Sequence, residues 1–111
     1  MDIIFASEKF AELCNNQKAL IKQLGPERAR RLRRRLDDLR AATTLAEMRH
    51  LPGRCHELHG NRSGQFSLDL DHPYRLIFEP AHEPTPRKGD GGLDWTSITR
   101  VKVIGIEDTH E

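Results

Sequence analysis

The spacing of apolar residues changes once along this chain, and that change constrains the fold more than any other feature. Up to residue 51 apolar positions recur at helical intervals: Phe10, Leu13 and Cys14, then Leu20, Ile21 and Leu24, then Leu32, Leu36 and Leu39. Each set falls on one side of a helix with about 3.6 residues per turn. From residue 66 the period drops to two. Phe66, Leu68 and Leu70 alternate with Ser67, Asp69 and Asp71, the pattern of a strand with one wet face. Tyr74 to Glu79 is apolar on both sides near its middle and predicts an internal strand, and Ile98 to Ile106 predicts a long last one. Short strands are expected at 2–6 and 56–59. Helices first and strands afterwards predict an α+β domain: two N-terminal helices packed on one face of a mainly antiparallel sheet of four to five strands. At 111 residues, one domain spanning 1–111 is expected.

Local signals set the boundaries. Ser7 can cap a first helix, which Asn15-Asn16 interrupts weakly. Gly25-Pro26 stops one helix and starts the next, expected to run to about Ala42. Thr44 and Glu47 have capping-box spacing for a short third helical piece. The stretch 80–94, with three prolines and three glycines before Asp94, predicts a long mobile hairpin loop.

The net charge of +1 conceals an asymmetry. Residues 1–55 hold 12 Lys and Arg against 7 Asp and Glu, for +5; residues 56–111 hold 6 against 10, for −4. Arg30, Arg31, Arg34 and Arg35 lie in the arginine-rich second helix and are candidates for an RNA-phosphate or partner surface; the alternative is a solvated helix face. The longest apolar run, Ile3 to Ala6, predicts neither a membrane span nor a secretory leader. Two cysteines form no disulfide framework, so a reducing cytoplasm is expected.

Six histidines supply side chains able to exchange a proton near neutrality. His56 and His59 flank a turn holding Asn61 and Arg62, and Asp108 and His110 follow the last strand. If that strand lies near 56–59, a cationic, histidine-bearing cleft results, suited to phosphodiester chemistry: proton removal from the attacking oxygen, protonation of the leaving oxygen, and arginines facing the charge that grows on phosphorus. A zinc site at His50, Cys55, His56 and His59 lacks a second ligand pair, so no metal is expected. Arg75 is a charge within an apolar strand, so it either faces a ligand or pairs with Asp69, Asp71 or Glu107.

The run Leu51-Pro52-Gly53-Arg54-Cys55-His56-Glu57-Leu58-His59-Gly60-Asn61-Arg62-Ser63-Gly64-Gln65-Phe66 resembles the central signature of the HigB-type killer toxins of the RelE/ParE superfamily. Tyr74 to Phe78 resembles the family's following strand, and Asp108-Thr109-His110 its C-terminal Asp-Tyr-His. The resemblance implies a β-α-α-β-β-β fold and a ribosome-dependent messenger-RNA endonuclease that works without a metal or other cofactor. The 2′-hydroxyl would attack the adjacent phosphate and leave a cyclic phosphate end. Carried over, His56, Asp108 and His110 would be acid or base, His59 would stand where the family often has lysine, and Arg62 and Arg75 would stabilise the phosphate. It also implies a helix-turn-helix antitoxin of the HigA kind, the pair binding DNA, with the ribosome and its message as further partners. Thr109 replaces the family's tyrosine and removes a stacking surface. That departure motivates a second reading: a gyrase inhibitor of the ParE kind, or a toxin that only binds its antitoxin.

Overall fold

The computed structural model describes residues 1–108. Its elements are β1 (Asp2–Phe5), α1 (Glu8–Cys14), α2 (Gln17–Leu24), α3 (Pro26–Ala41), β2 (His56–Glu57), β3 (Phe66–Asp69), β4 (Tyr74–Pro80) and β5 (Arg100–Asp108). The five strands lie in the order β1-β5-β4-β3-β2; β1 runs parallel to β5 and every other pairing is antiparallel. The α+β class is as the change of period predicts.

The first helix is two helices. Asn16 accepts from the Ala19 amide through Oδ1 (3.1 Å) and so starts α2 afresh, one residue after Asn15 closes α1. A short polar side chain that satisfies an orphan amide competes with helix continuation. Ser7 caps α1 by accepting from the Phe10 amide (3.1 Å). Ser7→Ala is therefore expected to lower stability by about 1 kcal/mol, read as a shift in the urea midpoint. Gly25, at φ 86°, turns the chain out of α2, and Pro26 opens α3. The third helical piece is a 3-10 turn, Leu45–His50; Glu47 reaches back to the Thr43 amide (2.6 Å) instead of completing a box with Thr44.

Ala29, Leu32, Leu36 and Leu39 of α3 are buried with Leu20, Phe66, Leu68, Leu76, Phe78, Val101 and Val103, so the helices cover one face of the sheet. On β3 and β4 that face takes Phe66, Leu68, Leu76 and Phe78; Ser67, Asp69, Arg75 and Ile77 leave by the other. A bulge between β4 and β5 changes the phase of the last strand. Phe78 opposes Val103 and Ile77 opposes Gly105, which leaves Ile104 extra. Before the bulge Val101 and Val103 face the core; after it Ile106 does, and Glu107 turns to the open face beside Arg75.

The loop at 80–94 is pinned. Arg87 bridges Leu93, the Lys88 amide donates to the Gly92 carbonyl (2.8 Å), and Leu93 is buried in the core. Among the described residues no helix is long and apolar enough to cross a membrane.

Candidate active site on the open sheet face

Register places two rows of side chains on the face that the helices leave open. The first is His56, Ser67, Ile77 and Gly105; the second is Asp69, Arg75 and Glu107. The rows lie about 7 Å apart along the strands. His56 and Arg75, predicted from the sequence as site residues, thus share a face, two strands apart.

His56 is held by the turn before it. Pro52-Gly53 carries the chain to Arg54, whose φ of 51° is the one left-handed value among the described non-glycine residues. That conformation brings the Arg54 carbonyl to 2.8 Å from Nδ1 of His56. Nδ1–H donates to this oxygen, so Nε2 carries the lone pair of the neutral ring. Nε2 lies 3.4 Å from the hydroxyl of Ser67, a serine with no exposed surface. Gly53, at φ 112°, sits where any Cβ would come 2.8 Å from Nε of Arg35. The helix side thereby sets the position of the turn that aims His56.

Arg35 therefore has a different role from the one its helix suggests. The arginine stripe predicts it as RNA or partner surface, but it is 7% exposed and donates to the Asp69 carbonyl (2.8 Å). Burial pulls its pKa below the ordinary arginine value. It lies on the buried side of α3 with Leu32, Leu36 and Leu39, where its guanidinium satisfies a strand carbonyl. Arg30 and Arg31 pair with Glu27 at 3.1 and 2.7 Å, and Arg34 is exposed. These three stand on α3, behind the sheet as seen from His56, and do not contribute to the open face.

Arg62 and Arg75 are both ion-paired. Arg62 ends a 3-10 turn, Gly60–Arg62, and meets Glu107 with both terminal nitrogens, Nη1 to Oε1 at 2.7 Å and Nη2 to Oε2 at 2.8 Å. Its Nε donates to Oε1 of Gln65 (2.9 Å). Arg75 Nε lies 3.3 Å from Oδ1 of Asp69, and Arg54 Nε donates to Oδ2 of the same carboxylate at 2.5 Å. Asp71 is taken by Arg28 (3.0 Å), whose guanidinium also lies 3.4 Å from the centre of the Tyr74 ring. Arg54, Asp69 and Glu107 thus join the site, the first without having been singled out by the sequence.

His59 is exposed at the start of the 3-10 turn that carries Arg62. Asp108, opposite Tyr74, takes the alternate side of β5 from Glu107. His110 lies outside the described residues, as does Thr109. Among the described residues no three His, Cys, Asp or Glu side chains gather to hold a metal.

The Arg62 hydrogen bonds hold the Glu107 carboxyl below its ordinary value of 4.5. A depressed carboxylate pKa adds stability that is complete above the unfolded value and is lost as pH falls through the folded one. Stability is therefore expected to decline below about pH 4.5, and Glu107→Gln to flatten that limb of the curve. Both partners are more than a third exposed, so the expected contribution is under about 1 kcal/mol. Urea midpoints at pH 7 and pH 3 check it.

The chain matches no protein-family model and no curated protein. Solved structures do resemble it over their full length. A YoeB/ParE toxin from Agrobacterium tumefaciens superposes with a TM-score of 0.59 at 10% identity, covering 99% of this chain and 100% of the other. The YoeB-YefM complex from Staphylococcus aureus gives 0.58 at 14% identity, covering 100% and 98%. A YoeB dimer from the same organism gives 0.56 at 15%, also covering 100% and 98%. The chain thus has the fold of the YoeB/ParE-type toxins, at identities that speak for architecture alone.

Proposed function

We propose that this chain is the toxin of a type II toxin–antitoxin pair and cleaves messenger RNA on the ribosome at the open face of its sheet. The observation that carries the reading is the placement of His56 with Arg54, Arg62 and Arg75 on the sheet face away from the helices, around a centre closed by buried Ser67 and Ile77, with the His56 ring oriented so that Nε2 holds its lone pair. On this reading Nε2 takes or returns one of the two protons of a transesterification. The 2′-oxygen attacks phosphorus, the bond to the 5′-oxygen breaks, and a cyclic phosphate remains. Guanidiniums meet the charge that develops on the phosphoryl oxygens. The second proton transfer falls to His110, as the HigB resemblance suggests; Asp108, which the resemblance also offers, faces the other side of β5 from Glu107, and His59 stands at the start of the turn that carries Arg62. The partners are an antitoxin of the helix-turn-helix kind, forming a DNA-binding complex, and the ribosome with its message, all in the cytoplasm. The exposed arginines of α3, Arg30, Arg31 and Arg34, offer a surface for that antitoxin or for ribosomal RNA.

One observation favours a second reading. Arg62 and Arg75 both rest against carboxylates, as they would in a toxin that inhibits gyrase or binds its antitoxin without cutting RNA. Primer extension on cellular transcripts after induction separates the two. New 5′ ends within open reading frames are expected; growth arrest with intact transcripts and relaxed plasmid DNA would overturn the nuclease reading in favour of the second.

A further inference from the structure

The carboxylates on the open face occupy the places that phosphates would take. Glu107 presents two oxygens to the two terminal nitrogens of Arg62 in a parallel fork, the geometry in which a guanidinium grips two phosphate oxygens. Asp69 sits between Arg54 and Arg75 at the wall of a cavity of about 50 Å3 that His72 and Tyr74 also line. Oδ1 of Asp69 is buried and, among the described residues, meets Arg75 as an ion pair at 3.3 Å without a well-aligned hydrogen bond. Asp69 and Glu107 stand in one register row on either side of Arg75, about 10 Å apart across the strands. The Arg62–Glu107 pair and the Arg54 side of the Asp69 pair are open to solvent, so they add little to stability and open at small cost.

We infer that Asp69 and Glu107 are built-in phosphate substitutes, and that a nucleic-acid strand binds this face by displacing them. The inference rests on the RNA-directed reading above and adds to it a condition on the ligand. With both carboxylates seated, the row Arg54, Asp69, Arg75, Glu107 and Arg62 carries a net charge of only +1, and each arginine already has a carboxylate that a stray anion must displace. One phosphate can exchange with one carboxylate only. A strand whose phosphates reach from β3 to β5 exchanges with both and gathers three guanidiniums. The site therefore selects an oligonucleotide over a mononucleotide or inorganic phosphate, and Asp69 and Glu107 set that selectivity.

The test uses the full chain and a fluorescein-labelled ten-residue RNA methylated at every 2′-oxygen, which binds without being cut. Anisotropy titrations at several KCl concentrations compare the parent with Glu107→Gln, Asp69→Asn, and Glu107→Gln combined with Arg62→Ala. Glu12→Gln, a neutralisation on the exposed side of α1, controls for net charge. Glu107→Gln and Asp69→Asn are each expected to bind about 5–10-fold tighter, with the salt slope steeper by about 0.7 for each arginine released. Arg62→Ala should remove the gain of Glu107→Gln, and Glu12→Gln should show little of it. Equal gains in Glu12→Gln, a gain that survives Arg62→Ala, or no gain at all overturns the inference. If Asp69→Asn melts early, Glu107→Gln and its Arg62 partner decide alone. Because the probe resists cleavage, failure of the nuclease reading is seen only in the primer-extension assay and leaves this result standing. Cleavage without tighter binding by Glu107→Gln would instead sink the exchange and spare the nuclease.

Discussion

Replacing Phe66 by alanine is expected to remove about 3–5 kcal/mol of stability. Phe66 has no exposed surface. It stacks on Phe78 across the β3–β4 pair with ring centroids 5.5 Å apart, and meets the edge of Trp95 at 5.0 Å. Trp95 is in turn covered by the Arg49 guanidinium at 3.9 Å. Removal of the ring leaves a cavity between Phe78 and Trp95. Such a loss is a large share of the roughly 5–15 kcal/mol that holds a domain of this size together. The melting temperature should fall by more than about 10 °C, and the emission of Trp95, the single tryptophan, should shift as its neighbour disappears. Ile21→Ala, at a position 38% exposed, should change stability by about 0.5 kcal/mol or less. A loss below about 1 kcal/mol for Phe66→Ala would mean that the aromatic group is not the centre of the core.

That core was legible in the sequence because it follows from period alone. Leu32, Leu36 and Leu39 at helical spacing, and Phe66 and Leu68 at strand spacing, are all buried against one another. What period does not carry is competition between close alternatives. Asn15-Asn16 reads as a weak interruption, yet the side-chain cap at Asn16 makes it a boundary between two helices. Residues 80–94 read as mobile because Pro and Gly dominate, yet one apolar residue, Leu93, docks the segment.

The site was legible in part, and the missing part has a structural reason. His56, Arg62 and Arg75 stand out by residue type, and the structure sets His56 and Arg75 on one face. Arg54 and Arg35 exchange the roles their neighbours suggest. Arg54 lies in a Pro-Gly turn, a context that predicts solvent, and becomes the residue whose carbonyl aims His56. Arg35 is one arginine among many on α3, but its position three residues after Leu32 and one before Leu36 puts it on the buried stripe. Glu107 depends on the bulge at Ile104. Strict alternation from Val101 and Val103 would turn residue 107 to the core, and only the three-residue step from Val103 to Ile106 signals the change of phase.

His56→Ala is expected to reduce RNA cleavage by about 10²–10⁴-fold and to abolish growth arrest on induction, with the melting temperature nearly unchanged. The side chain is half-buried in a two-residue strand, and among the described residues its hydrogen-bond partners are one turn carbonyl and one serine hydroxyl, so little of the core depends on it. Its chemical role depends on orientation. On the proposed reading the Arg54 carbonyl, accepting from Nδ1–H, leaves Nε2 for proton exchange, and the Ser67 hydroxyl lies 3.4 Å from that nitrogen. Ser67→Ala removes this contact and leaves the ring seated, so its effect should be smaller, about tenfold or less. With the antitoxin on α3, one of the two occupants proposed for that surface, the His56 variant should still bind it, because α3 lies on the other side of the sheet. A variant that keeps full cleavage, or one that loses antitoxin binding and cleavage together, would show that His56 shapes the chain and does not serve its chemistry.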